Sequence, residues 1–251
     1  MSKESIDERT RRLVGLLDSL GIEIDEAQAS KMLQHLDLVI EKNKEINLTR
    51  ITDPDDAITL HVVDSLLLAP SVTKIGEKQK RRPKVLDIGT GAVYPGVPLH
   101  IATGCKTTLI DSVGKKINAV DEFIDRLGLD REHIEALHTR AEELAKDRRG
   151  QYDLIVARAV AQTNTLVEYA TPLLKMGGRL VITKGNIGAD EIKAGVTAAK
   201  TCGLRLVSRE TIELPEDKGH REIICFEKVK GSSIKLPRNT GMAQHHPLGN
   251  K

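Results

Sequence analysis

The sequence predicts an α/β fold, a doubly wound parallel sheet behind an N-terminal block of helices. Three observations carry this. Between residues 84 and 202 short apolar runs alternate with helical periodicities. The first run, Val85-Leu86-Asp87-Ile88, passes straight into Gly89-Thr90-Gly91. At such a strand-to-turn join a sheet of this kind places a nucleotide-like ligand. The last two strand-like runs, 204–214 and 220–229, are separated only by Pro215-Glu216-Asp217-Lys218-Gly219. No crossover helix fits in that loop, so the pair forms an antiparallel hairpin.

The elements follow in order. Residues 1–70 read as helices. Leu13, Leu16, Leu17 and Leu20 recur at helical spacing, and a second helix over 25–42 carries Met32, Leu33, Leu36, Val39 and Ile40 on one stripe. Asp53-Pro54 starts a third helix, with Asp as N-cap and Pro in the first turn. That helix bears Ile58, His61, Val62, Ser65 and Leu66 and stops before Pro70; the polar, basic segment 71–83 reads as a linker. Strands are expected at 84–88, 106–111, 133–138, 152–158 and 178–184, and helices at 96–103, 115–128, 163–175 and 188–202. Five parallel strands followed by a hairpin suit the Rossmann-like, seven-stranded sheet of class I S-adenosylmethionine-dependent methyltransferases. A six-stranded dehydrogenase sheet suits them less well. The chain thus divides into an N-terminal helical region (1–70), a sheet domain (71–230) and a basic, Pro- and Gly-containing tail (231–251).

Composition narrows the class. The chain has 251 residues, 39% hydrophobic and 29% charged, as expected of a globular protein. No apolar run approaches the roughly 18 residues of a membrane span. Met1-Ser2-Lys3-Glu4-Ser5 opens a charged amphipathic stretch and not a signal peptide, so a cytoplasmic location is expected. Cys105, Cys202 and Cys225 are odd in number and far apart, which points to reduced thiols. Aromatics are 2% with no Trp, which argues against a platform for stacking several bases. Residues 1–70 carry 8 basic and 14 acidic side chains, residues 71–230 carry 27 and 22, and the tail adds 3 basic ones. That distribution leaves room for a basic face on the sheet domain.

The turn after the first strand selects the ligand. A dinucleotide fingerprint wants a third Gly where this chain has Tyr94, and the next Gly is Gly96. That favours S-adenosylmethionine, which has no pyrophosphate, over NAD; the alternative is an ordinary strand-to-helix turn. Asp111 ends the second strand, where a carboxylate accepts hydrogen bonds from both ribose hydroxyls. As an alternative it caps the next helix. Ala141 and Glu142, past the third strand, are placed to meet the adenine ring, unless Ala-Glu-Glu simply starts a helix.

Cations converge on the same edge. Lys115 and Lys116 follow strand two, Arg140 follows strand three, Arg158 ends strand four and Lys184 ends strand five. Singly each reads as a solvated charge. Together they suit a phosphate-rich substrate such as RNA. Chemical groups are also missing. There is no Asp/Asn-Pro-Pro-aromatic run for an exocyclic amine, no Pro-Cys nucleophile for a pyrimidine ring and no metal-spaced cluster; His245-His246 lies in the tail. Guanine N7 would need none of these, because its in-plane lone pair can attack a methylsulfonium directly. Catalysis then reduces to alignment and exclusion of water.

The residues at this point resemble a known family. Asn43-Lys44-Glu45-Ile46-Asn47-Leu48-Thr49 is similar to its N-K-x-x-N-L-T signature, and Asp53-Pro54 with His61-Val62-Val63-Asp64-Ser65 to D-P-x(6)-H-x-x-D-S. Asp87 to Leu99 resembles its D-I-G-T-G…P-G-x-P-L turn. Asp111-Ser112-Val113-Gly114-Lys115-Lys116, Arg140-Ala141-Glu142-Glu143, Arg158-Ala159 and Lys184-Gly185 follow in its order. The chain is identified as a member of the bacterial small-subunit rRNA guanine-N7 methyltransferases, the RsmG or GidB family. The resemblance covers nearly its full length. It implies methyl transfer from S-adenosylmethionine to one guanine N7 of 16S rRNA, free or in the small subunit or its precursor. It further implies donor contacts at Gly89, Tyr94, Ala141, Glu142 and Arg158, to which the residue reading adds Gly91 and Asp111. RNA contacts are expected at Lys115, Lys116, Arg140 and Lys184, with no metal, no membrane and a monomeric protein. The tail, Lys235-Leu236-Pro237-Arg238-Asn239-Thr240-Gly241 through Pro247-Leu248, is similar to the ending of many members.

One residue departs from the pattern. Val93 stands where the family has its third glycine, and a β-branched residue resists positive φ. The turn should therefore shift or bind the donor weakly, and Val93→Gly should bind it at least as tightly. Two other functions compete: a methyltransferase of the same fold acting on a small molecule or protein, and a non-catalytic ribosome-binding relative with a weakened pocket.

Overall fold

A computed structural model describes residues 3–158 and 160–249. Of the segments named above, Met1, Ser2, Ala159 and the last two residues lie outside them. Strands β1 (Lys84–Ile88), β2 (Lys106–Asp111), β3 (Ile134–His138), β4 (Tyr152–Arg158), β5 (Leu174–Lys184), β6 (Leu204–Glu213) and β7 (His220–Lys228) form one sheet in the order β3-β2-β1-β4-β5-β7-β6. The first five pair in parallel, while β7 lies antiparallel to both β5 and β6. The order reverses between β1 and β4, the switch point at whose carboxyl edge open α/β sheets bind ligands.

Each buried strand alternates between two cores. Leu154 and Val156 of β4 join one cluster, and Ile155 and Ala157 join the other. The first cluster also contains Leu13 and Leu17 of α1 (Lys3–Asp18), Met32, Leu36 and Val39 of α2 (Glu26–Asn43), and Phe123 of α7 (Gly114–Arg126). The second contains Leu144 of α8 (Ala141–Asp147), Leu166 of α9 (Thr163–Ala170) and Ala198 of α10 (Ala189–Cys202). The N-terminal helices thus share a core with one face of the sheet. Helix α2 starts on a capping box: Gln28 N–H donates to Asp25 Oδ1 at 2.7 Å, and Asp25 N–H to Gln28 Oε1 at 3.0 Å.

Three expectations change. Segment 71–83 is not a linker: helix α5 (Ala69–Gln79) fills most of it, with Pro70 in its first turn. Proline there loses no hydrogen bond, so it opens this helix and does not close the previous one. The third helix is interrupted: α3 (Pro54–Ala57), capped by Asp53, runs into a π-helical turn (Ile58–Val63) and then α4 (Asp64–Leu66). Helix α9 ends at Ala170, and β5 begins at Leu174, through Met176-Gly177-Gly178. The register shift between Tyr152 and Leu154 absorbs those glycines into the strand. The stretch Pro54–Gln79 has the length and hydropathy of a membrane span, but 67% of its apolar window is buried in the protein.

The tail packs over the α8–α10 side. Leu236 is buried in the second cluster, Arg238 binds the Glu168 carboxylate at 2.7 and 2.5 Å, and Leu248 O accepts from Asn164 Nδ2 at 2.8 Å. A short helix, α11 (Met242–His245), follows Gly241.

Candidate donor and substrate site

A cavity of about 910 Å³ opens at the carboxyl edge of the strands. Its floor is the turn after β1. The Gly89 and Thr90 N–H groups both donate to Ile110 O at 2.9 Å, which ties the turn to β2. Gly89 sits at φ +70, and a Cβ there would meet Val160 Cγ1 at 2.5 Å. At Gly96 a Cβ would lie 2.2 Å from Leu109 Cδ2. Only glycine fits either place. Beneath them Asp87 is fully buried and its Oδ2 accepts from Thr90 Oγ1 at 2.7 Å and Gly96 N–H at 3.0 Å. Burial raises its pKa to about 6, against the opposing effect of those two hydrogen bonds.

Val93 takes a backbone conformation that glycine favours. It adopts φ +70 with its side chain fully buried in the first core cluster. The chain therefore carries a left-handed β-branched residue, a strained state that packing maintains.

The carboxylate of Asp111 receives Gly91 N–H at 3.2 Å and Val113 N–H at 2.9 Å. The N-cap of α7 is Val113, so Asp111 is not that cap. Ala141 starts α8, and Glu142, 5% exposed, accepts the tail's Gly241 N–H at 2.9 Å. The tail thereby reaches the cavity, and Gln244 lines it.

Tyr94 and Arg158 are held from the N-terminal side. The Tyr94 ring stacks on His61, with centroids 4.6 Å apart and planes 9° apart, and lies 4.9 Å from His35. The Arg158 guanidinium carbon stands 5.3 Å from the Tyr94 centroid. Its Nη1 donates to Leu60 O and Asp64 Oδ2, both at 3.0 Å, and its Nη2 to His61 Nδ1 at 3.1 Å. Arg221 Nε stands 3.0 Å from Asp64 Oδ1, a charge contact without hydrogen-bond alignment. Burial, then the Arg158 charge, lowers the His61 pKa to about 3, so the imidazole is neutral. A π turn at a functional site is a common device. Here Ile58–Val63 supplies both His61 and the Leu60 carbonyl to one arginine.

The predicted cations divide. Lys116, Arg140 and Lys184 line the cavity with Arg158; Lys115 is exposed away from it. Lys184 is ion-paired with Glu191. Sequence reasoning missed Thr49, Arg50, His61, Asp64 and Arg221, which also line the cavity. For Thr49, His61 and Asp64 the signal lay in the signatures over 43–49 and 61–65, whose role periodicity did not reveal. Among the described residues no group of three His, Cys, Asp or Glu side chains could hold a metal.

Comparison with known proteins agrees with this architecture. Residues 28–222 match the family described as rRNA small subunit methyltransferase G, GidB. The chain is 36% identical over 238 residues to the ribosomal RNA small subunit methyltransferase G of Lactobacillus johnsonii, covering 92% of this chain and 96% of that one. It is 37% identical over 235 residues to the enzyme of the same name from Lachnoclostridium phytofermentans, covering 92% and 94%. Among solved structures it is similar in fold to the 1,6-didemethyltoxoflavin-N1-methyltransferase of Burkholderia thailandensis with bound S-adenosylhomocysteine (TM-score 0.51, 15% identity, 79% and 88% covered). It is similar also to the tRNA methyltransferase TrmK of Bacillus subtilis (TM-score 0.51, 15% identity, 67% and 66% covered). The seven-stranded sheet is that of class I methyltransferases, and the chain belongs to the GidB family, the rRNA small subunit methyltransferases G.

Proposed function

We propose that this chain moves the methyl group of S-adenosylmethionine to N7 of one guanine in 16S rRNA, in the bacterial cytoplasm. The observation that carries the reading is one cavity holding a glycine turn, two carboxylates at neighbouring strand ends and a cationic rim. The residues fit the donor. Gly91 leaves its face of the turn open, since a Cβ there would meet only Gly89 O at 3.8 Å, and Asp111 and Glu142 supply acceptors at the end of β2 and past β3. In this reading Gly89, Gly91, Tyr94, Asp111, Ala141, Glu142 and Arg158 hold the donor, with Asp111 on the ribose and Ala141–Glu142 beside the adenine. When bound, S-adenosylmethionine supplies an electrophilic methyl carbon on a sulfonium, which the N7 lone pair takes while the carbon–sulfur pair returns to sulfur. No proton leaves N7, so the site needs no general base, and the cavity's residues act by alignment and by excluding water.

Lys116 and Arg140 meet RNA phosphates at the rim, Lys115 does so further out, and Lys184 does so only if its pair with Glu191 opens. The test is transfer of labelled methyl to isolated 16S rRNA and to 30S subunits from an unmodified strain. Incorporation into at least one supports the reading, and none into either refutes it.

A further inference from the structure

We propose that the Thr49 hydroxyl distinguishes guanine from adenine at the methylated position by donating its hydrogen to guanine O6. The assignment rests on the guanine-N7 reading and deepens it.

The geometry fixes the direction of every hydrogen in the relay. A guanidinium has donors and no acceptor, so the His61 Nδ1 that lies 3.1 Å from Arg158 Nη2 accepts. A neutral imidazole carries one hydrogen, which is then on Nε2. That Nε2–H donates to Thr49 Oγ1 at 2.8 Å. The Ile51 N–H donates to the same oxygen at 3.1 Å. Both lone pairs of the hydroxyl are thus occupied, and its own hydrogen has only one role left, that of donor. Among the described residues it meets no acceptor, and Thr49 lines the cavity. The loop is held in place as well, because Asn43 Oδ1 accepts from Leu48 N–H at 2.7 Å and Thr49 N–H at 2.9 Å.

Chemistry says what such a donor selects. Guanine and adenine both offer an N7 lone pair, so attack on a methyl group does not separate them. The neighbouring group does: guanine has the O6 acceptor, adenine the N6 amino donor. A threonine hydroxyl ordinarily serves either base, because it can accept or donate. With both lone pairs taken it meets O6 with a hydrogen bond and the N6 amino group with an opposed donor. Asn43, Thr49 and His61, singled out in the sequence without a role, become one specificity device.

The test uses the full chain with Thr49→Ser, Thr49→Val and Thr49→Ala, 30S subunits from an unmodified strain, and calorimetric titration with S-adenosylmethionine. Thr49→Val is expected to lower turnover at least about tenfold, the loss of a hydrogen bond with its partner left unpaired, while the donor Kd stays within about twofold. Thr49→Ser, which keeps the hydroxyl, is expected to stay near wild type. Thr49→Ala, whose smaller side chain leaves room for a water on His61 Nε2–H, is read by the same criteria in case valine fails to fold. Wild-type turnover in the valine or alanine variant would overturn the assignment. So would donor affinity falling in step with turnover, since the hydroxyl would then serve the donor or Arg158. Equal loss in Thr49→Ser would overturn it too. An inert wild type would overturn the guanine-N7 reading and this assignment with it. An active wild type beside an equally active Thr49→Val overturns the Thr49 assignment alone.

Discussion

His35 is fully buried between the Tyr94 ring at 4.9 Å and the Phe123 ring at 5.9 Å, with neither ring nitrogen hydrogen-bonded. Burial lowers its pKa from 6.5 to about 3. The folded-state pKa is thus depressed for a base. As pH falls below 6.5 the unfolded chain takes up a proton that the folded chain refuses until pH nears 3. Stability present above pH 6.5 is lost through that window, at about 1.4 kcal/mol per pH unit for this one group. Between about pH 7 and pH 5 the loss from His35 comes to roughly 2 kcal/mol. His61, also lowered to about 3, acts in the same direction, and Asp87, raised to about 6, opposes them at lower pH. His35→Phe isolates one term, because it keeps a ring against Tyr94 and removes the titration. The assay is urea unfolding of wild type and His35→Phe at matched ionic strength across this range. The variant should gain about 2 kcal/mol relative to wild type from about pH 7 to pH 5. A stability difference that stays flat with pH would refute the reasoning, because His35 would then be protonated or hydrogen-bonded in the folded state.

Other substitutions test the turn and the rim. Val93→Gly exchanges relief of about 1–3 kcal/mol of backbone strain against loss of a buried side chain of about 1.5–3 kcal/mol. Its stability should therefore change by no more than about 2 kcal/mol in denaturant melts, and its affinity for S-adenosylmethionine should equal or exceed wild type by calorimetry. Absent wild-type binding rescued by Val93→Gly would mean the natural turn is defective. Gly96→Ala drives a methyl into Leu109 and toward Asp87 Oδ2, 2.2 and 2.8 Å away. It should cost about 1–3 kcal/mol by overpacking and weaken donor binding, and a neutral melt would contradict that contact. Lys116→Ala and Arg140→Ala should each flatten the slope of log affinity for 16S rRNA against log salt by about 0.7–0.9; an unchanged slope places them off the RNA.

Much of the fold was legible because local signals agreed. The bounds of β1, β2 and β4 follow from apolar runs closed by Gly or charged residues, and the short loop before His220 forces the terminal hairpin. Helix α5 was not legible, since its core-facing residues are few, Ala69 and Val72, and its remaining surface is as polar as a linker. The start of β5 was hidden because Gly177-Gly178 imitates a turn. The strand-end side of the cavity was readable because its residues fall at successive strand ends. The other side was not, because Thr49, His61 and Arg158 meet across 12 and 97 positions of chain. No periodicity encodes that meeting. Val93 shows the limit of a conformational rule, since a β-branched residue holds φ +70 with its side chain packed in the core.

The most direct measurement is the position of the transferred methyl. Unmodified 16S rRNA or 30S subunits are incubated with the protein and S-adenosylmethionine, and the RNA is then cleaved by borohydride and aniline, which cut the strand at 7-methylguanine. A single donor-dependent cut at one guanine of 16S rRNA is predicted. Label incorporated without such a cut, or no transfer to either substrate, would contradict guanine-N7 methylation by this site.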